Sequence, residues 1–377
     1  MDDNYEVNNS LATAYDLSNY EETWLSDIDG EGVQYDQDWY KISVEEGFEK
    51  LLVDLQITGS NYYSDIEINV YDENGTWIAG DYGYNSIDKI LPSAGNYYLK
   101  VDNYYYDDYY YDDYYYDDSG STYDLKWDSV APPLNIKATG DFNGDGQTDL
   151  VQRHYPPGSN SILFLDGTDR LDTTTIDAVP YSDWEIKGAG DFNSDGQTDI
   201  LWRNNYLSKN SVWFMDGTTK IGRADIELTY DSDWDIKATG DFNSDDKTDI
   251  LWRNDITGQN SVWLMESTTN LEILSFYSVS DRDWDIKGTG DFNSDGKTDI
   301  LWRNESIGQN SIWLMDGTTR LESIRLNPVP DRDWDIKGTG DFNSDGETDI
   351  LWSNDYLGKN SVWFMDDTIR TARANLD

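Results

Sequence analysis

The chain has 377 residues, 14% of them aromatic, a formal net charge of −48 and no cysteine. Disulfides, thiolate catalysts and thiol metal sites are therefore excluded, and no apolar run of about twenty residues is available to span a membrane as a helix. So acidic a field opposes nucleic acid and anionic membranes and attracts cations.

Met1 runs directly into Asp2 and Asp3 with no signal peptide. Residues 39–43, 50–55, 66–71 and 97–101 alternate apolar and polar side chains between Gly, Asn and Asp turns. Short strands at such spacing predict a small antiparallel β-sandwich over 1–130. Asn-Asn-Ser-Leu-Ala-Thr-Ala at 8–14, Asp-Gln-Asp-Trp-Tyr at 36–40, the 65–72 strand with Asn74 and Gly75, and Ala-Gly-Asn-Tyr-Tyr-Leu-Lys-Val at 94–101 carry a resemblance. This stretch resembles the pre-peptidase C-terminal (PPC) domain, a β-sandwich attached to secreted bacterial enzymes. The resemblance implies a calcium site at strand ends, for which Asp36, Asp38 and Asp65 are the candidates. Three consecutive copies of Tyr-Tyr-Tyr-Asp-Asp fill 104–118 and read as a mobile hairpin tip, with adhesion or cation binding as the alternative.

Ala131, Pro132 and Pro133 form a linker. Beyond it, over 134–377, a tract of the form Asp-Phe-Asn-Ser-Asp-Gly-x-Thr-Asp starts at Asp141, Asp191, Asp241, Asp291 and Asp341, an interval of fifty residues. Oxygen-bearing side chains stand at loop positions one, three, five and nine: Asp141, Asn143, Asp145 and Asp149 in the first copy; Asp191, Asn193, Asp195 and Asp199 in the second; Asp241, Asn243, Asp245 and Asp249 in the third; Asp291, Asn293, Asp295 and Asp299 in the fourth; Asp341, Asn343, Asp345 and Asp349 in the fifth. Calcium takes six to eight oxygens at roughly 2.3–2.6 Å, and a backbone carbonyl at position seven completes such a set. Gln147, Gln197, Lys247, Lys297 and Glu347 occupy that position, a variety that suits a main-chain donor whose side chain faces outward. Glycine at position six permits the positive φ of a sharp turn. The third copy has Asp246 there, so its loop is expected to be the weakest of the five. An EF-hand requires a bidentate Glu at position twelve, where Trp202, Trp252, Trp302 and Trp352 stand instead.

Between loops the chain reads as strands. In the second copy an alternating run covers 199–204, a second run 211–215, a weaker one 221–228 and a fourth 234–237. Four short strands in each fifty-residue unit predict a propeller, and five units predict five blades. The fold class expected is all-β: an N-terminal antiparallel β-sandwich followed by a five-bladed β-propeller with four strands per blade. The Thr-Gly-Asp-Phe-Asn-Ser-Asp-Gly loops and the Asp-Ile-Leu-Trp-Arg-Asn strands resemble the FG-GAP or VCBS calcium-loop propeller repeats across 134–377. That resemblance implies calcium in the first hairpin of each blade and roles in ligand binding or adhesion rather than catalysis. The first copy departs at Val151, Arg153 and His154, and the last has Ser353 in place of Arg.

Trp184, Trp202 and Trp213 recur 50, 100 and 150 residues later and are read as packing between blades. The alternative is that some of them, with Arg203, Arg253 and Arg303 and with Asn204, Asn254 and Asn304, line repeated sugar-stacking pockets. Asn160, Asn210, Asn260, Asn310 and Asn360 read as turn residues, and Lys137, Lys187, Lys237, Lys287 and Lys337 as solvated or ion-paired strand residues. A single histidine, His154, reads as a surface residue without a nucleophile-elbow or zinc-protease motif. The expectation is a non-catalytic, extracellular, calcium-binding protein whose partner is a glycan or protein on a multivalent surface. The alternative is an accessory region of a larger secreted hydrolase or peptidase.

Overall fold

The computed structural model describes residues 4–5, 7–34, 36–46, 48–59, 65–81, 86–104, 121–130, 132–154, 158–226 and 232–376. The chain divides into two compact units, Met1–Pro132 and Pro133–Asp377. No helix is long and apolar enough to cross a membrane.

The first unit contains two sheets. One has the order Tyr15–Asp16, Asp38–Val44, Gly95–Tyr104, Asp65–Asp72, Trp77–Asp81; the other runs Gly32–Gln34, Ser121–Val130, Lys50–Gly59, Ser86–Ile90. Both sheets bury every second side chain in one cluster that includes Tyr40, Ile42, Leu51, Val53, Ile68, Leu99 and Leu125. The expectation of wholly antiparallel pairing needs one correction, because Tyr15–Asp16 pairs in parallel with Asp38–Val44. That strand is two residues long, too short to carry a periodic signal. The side chain of Asp65 and residues 105–118 of the tyrosine tract lie outside the described residues.

The second unit repeats one motif, a four-stranded antiparallel meander. In the second copy its strands are Trp184–Gly190, Asp199–Asn204, Lys209–Asp216 and Thr219–Ile226, each paired with the next. The same order appears in sheets beginning at Ile136, Trp234, Trp284 and Trp334. The run at 199–204 is not half-buried as its alternation suggested, since all six residues are buried. Neighbouring sheets cover both of its faces, the condition under which a strand becomes apolar throughout. The strand Thr219–Ile226 is by contrast mostly exposed or half-buried.

Each first strand carries a bulge at its lysine, between Ile186 and Gly188 in the second sheet. Ion pairs hold the lysines of the second to fifth sheets: Lys187 Nζ lies 2.9 Å from Glu185 and 3.0 Å from Asp235, Lys237 Nζ 3.0 Å from Asp255, Lys287 Nζ 3.0 Å from Asp335 and Lys337 Nζ 3.0 Å from Asp355. Threonine hydroxyls tie successive first strands together, Thr289 Oγ1 donating to the Thr239 carbonyl at 2.5 Å and Thr339 Oγ1 to that of Thr289 at 2.6 Å. Thr139 Oγ1 of the first sheet donates in the same way to the Thr339 carbonyl of the last, at 2.6 Å.

Candidate metal centres

The repeated loop lies between the first two strands of every sheet. Its turn is closed by its own acceptors: in the second copy the N–H groups of Asp195 and Gly196 donate to Asp191 Oδ1 (3.2 Å) and Oδ2 (2.8 Å), and that of Gln197 to Asp195 Oδ1 (2.9 Å). Gly196 has φ 83°, as the turn requires, and Asp246 adopts φ 62° in the same place. A Cβ at Gly196 meets nothing within 4 Å, so the cost of Asp246 is backbone strain of about 1 kcal/mol rather than a clash. Sequence reading overlooked a second left-handed residue at position four, where Ser194, Ser244, Ser294 and Ser344 have φ of 54–60°.

Position nine is the most deeply placed. Asp199 is wholly buried, its Oδ2 accepting from the Phe192 N–H at 3.1 Å and its Oδ1 from the Met215 N–H at 2.9 Å. Asp149, Asp249, Asp299 and Asp349 make equivalent pairs of bonds. This carboxylate therefore locks the loop to the third strand of its own sheet. Burial pushes all five up to about 6 against these hydrogen bonds, and the loop carboxylates at positions one and five add to the rise. An unfolded carboxyl titrates near 3.9, so the metal-free folded state binds protons more tightly than the unfolded one. Stability rises as pH falls from about 6 toward 4 and is lost as pH climbs back through that window. In excess chelator the urea midpoint is expected to be higher at about pH 5 than at about pH 7; a lower midpoint at the acid value would contradict this assignment.

Side chains at position seven turn away from the loop. Gln147 Nε2 donates to Asp166 Oδ1 at 2.9 Å, Lys297 pairs with Asp316 at 2.8 Å and Lys247 with Glu266. Among the described residues no three His, Cys, Asp or Glu side chains are gathered as a metal centre, because the carboxylates at positions one and five face the N–H groups of their own turn. The donor set nevertheless fits a hard cation, being all oxygen and rich in carboxylate. In the fourth loop the buried Asn293 Oδ1 has no hydrogen-bond donor, although the equivalent oxygen of Asn193 accepts from the Asp195 N–H at 3.0 Å. Calcium would be held by the side chains at positions one, three, five and nine with the carbonyl at seven, and would supply the positive charge that these acids lack. Adjacent loops are also linked, since Thr198 Oγ1 donates to the Asp141 carbonyl (2.6 Å), Thr248 to Asp191 (2.9 Å) and Thr298 to Asp241 (2.7 Å).

The tryptophans, arginines and asparagines form the joints between sheets. Trp202 and Trp213 stack with centroids 4.7 Å apart, and the pairs in the next three sheets lie at 4.5–4.8 Å. The guanidinium of Arg203 lies 4.9 Å from the ring of Trp252 in the following sheet, Arg253 5.1 Å from Trp302, and Arg303 5.0 Å from Trp352. These arginines are at most 2% exposed, so the alternative of sugar-stacking pockets built from Trp202, Arg203, Asn204 and their counterparts is overturned. Burial leaves no ring face of Trp202, Trp252, Trp302 or Trp352 for a ligand, whereas Trp184 and its counterparts are half-buried. The asparagines also change place: Asn210 is a buried strand residue accepting from Arg203 Nη1 at 3.1 Å, whereas Asn204 Oδ1 caps the turn through the Leu207 N–H at 2.7 Å.

In the first unit, Asp38 is buried and accepts from Tyr123 Oη at 2.7 Å, while the exposed Asp36 accepts from Asn9 Nδ2 at 2.5 Å. Burial raises the Tyr123 phenol far above its ordinary value.

The chain is thus all-β, with repeated four-stranded sheets of the β-propeller type. Within it, residues 291–352 match the family model of the FG-GAP-like repeat. No curated protein matches the sequence. Among solved structures it is similar to exo-β-1,3-galactanase from Phanerochaete chrysosporium with galactose (9% identity, 63% of this chain and 61% of that one, TM-score 0.45). It is also similar to the nidogen/laminin complex (11%, 66% and 83%, 0.40) and to the periplasmic gluconolactonase of Pseudomonas aeruginosa (12%, 86% and 95%, 0.38). At these scores the likeness carries no inference about activity.

Proposed function

We propose that residues 134–377 form a five-bladed propeller bracketed by calcium, preceded by a PPC-like β-sandwich, and that the protein is a non-catalytic extracellular binding or adhesion module. The observation that carries the metal reading is the recurrence, at one place in all five sheets, of an oxygen-lined turn whose buried position-nine acid is held by main-chain N–H groups alone among the described residues. Binding is supported by a different recurrence: Leu171, Ile221, Leu271 and Leu321 stand at one position of successive fourth strands and are 59–61% exposed. Apolar side chains set out at equal intervals suit a protein or glycan surface that is itself repetitive, where several weak contacts act together. Asp295→Ala tests the metal reading. The variant is expected to melt below the parent in calcium and level with it in excess chelator; equal losses in both would remove calcium from that loop.

A further inference from the structure

The first sheet contains an open cleft of about 280 Å3. Its lining includes Leu134, Gln152 and Leu163, which stand fifty residues ahead of Trp184, Trp202 and Trp213. The cleft is therefore the space that three indoles fill elsewhere in the unit. Its rim repeats the same substitution. Lys220, Arg320 and Arg370 lie over the indoles of Trp213, Trp313 and Trp363 at 4.0, 4.5 and 4.4 Å. Arg170 is their equivalent in the first sheet, its Nη2 anchored to the Leu376 carbonyl at 3.1 Å, but Leu163 stands where those sheets have the indole.

We propose that this cleft binds a planar aromatic molecule, whose ring takes the place of the missing indoles beneath the Arg170 guanidinium. An aliphatic cavity of roughly 150 Å3 is enough to hold benzene, so the volume suits a bicyclic ring. A cation over a ring face favours an aromatic ligand over an aliphatic or sugar ring. The floor is apolar at Leu134 and Leu163, and one side offers polar atoms, His154 Nε2 and Ser161 Oγ, which lie 3.2 Å apart. These groups suit a ring that carries a nitrogen or hydroxyl at its edge. The site deepens the binding-module reading and rests on it, while using none of the calcium loops.

Indole is the probe, titrated calorimetrically into the full chain in calcium and again in excess chelator. Saturable binding with a dissociation constant on the order of a millimolar or tighter is expected. Arg170→Met should weaken it by about five- to tenfold. The double variant Gln152→Trp, Leu163→Trp should fill the cleft and abolish binding while melting at or above the parent temperature. The proposal is overturned if indole does not saturate the parent, if the filled variant binds as the parent does, or if methyl β-galactoside binds and indole does not. Loss of the calcium isotherm with indole binding intact would refute the metal reading alone, and the reverse result would refute this site alone.

Discussion

Transfer of the protein from excess chelator into about 10 mM calcium is expected to raise its melting temperature by on the order of 10 °C or more. Each loop holds carboxylates at positions one, five and nine within a single turn, as at Asp291, Asp295 and Asp299. Two such charges repel by about 1 kcal/mol at 4 Å in water, and several-fold more where burial lowers the effective dielectric. A ligand that binds only the folded loop stabilises it by about 2.7 kcal/mol at a hundred times its dissociation constant. Sites of the extracellular kind bind at roughly 10⁻⁴–10⁻³ M, so such a concentration approaches saturation. For units of this size each kcal/mol is worth roughly 2–4 °C, and several loops act on one cooperative body. Magnesium should do much less, because it demands a smaller, stricter octahedron and gives up its water reluctantly. Scanning calorimetry decides the matter, and a calcium shift no larger than the magnesium shift would overturn the metal reading.

The second large effect concerns a joint rather than a loop. Arg253→Ala is expected to lower the unfolding free energy by about 3–5 kcal/mol. Arg253 is 2% exposed and its guanidinium reaches Asn260 Oδ1 (3.0 Å) and the carbonyls of Gly258, Val279 and Trp284 (3.2, 2.9 and 3.0 Å). It also stacks on Trp302 of the next sheet, and Asp285 Oδ1 lies 3.8 Å from its Nε. Truncation strands buried acceptors and leaves the indole facing a void, and stranding such groups costs more than the bonds themselves contribute. Arg253→Lys should recover little, since a single ammonium cannot reproduce a planar fork that bonds and stacks at once. Urea midpoints measure both. A loss under about 1 kcal/mol for the alanine variant would mean that the joint does not hold the sheets.

The loops were legible because every determinant is local: nine consecutive residues carry the oxygens and the glycine, and Asp191 is read as easily as Asp341. The number of strands per repeat was legible for the same reason, through hairpin turns and β-rich runs. Contacts that cross from one repeat to the next were not. Trp252 and Arg203 each recur visibly, yet nothing in a periodic pattern says that they meet across 49 residues. The same blindness turned Asn210 into a turn residue, although its environment is set by Arg203. Asp199 was read as a ligand and proved also to be a brace, because its two N–H partners lie 7 and 16 residues away. One signal for the cleft did lie in the sequence: placing Leu134, Gln152 and Leu163 beneath the tryptophans fifty residues later exposes the gap.

Every sheet of the second unit is cut from one stretch of chain, so among the described residues no strand laces the last repeat to the first. At that boundary Ser353 replaces the bridging arginine, the Asn360 amide has no hydrogen-bond partner among the described residues, and Gln152 and Leu163 stand where the opposing indoles would be. What remains there is an aliphatic contact in which Leu163 and Leu165 meet Leu351 and Val362, with hydrogen bonds from Thr139 Oγ1 to the Thr339 carbonyl and from Arg170 Nη2 to the Leu376 carbonyl. Guanidinium-on-indole stacking clamps the other four junctions, Arg153 over Trp202 at 5.0 Å being the first of them, so under load the contact between the last sheet and the first is the one expected to part.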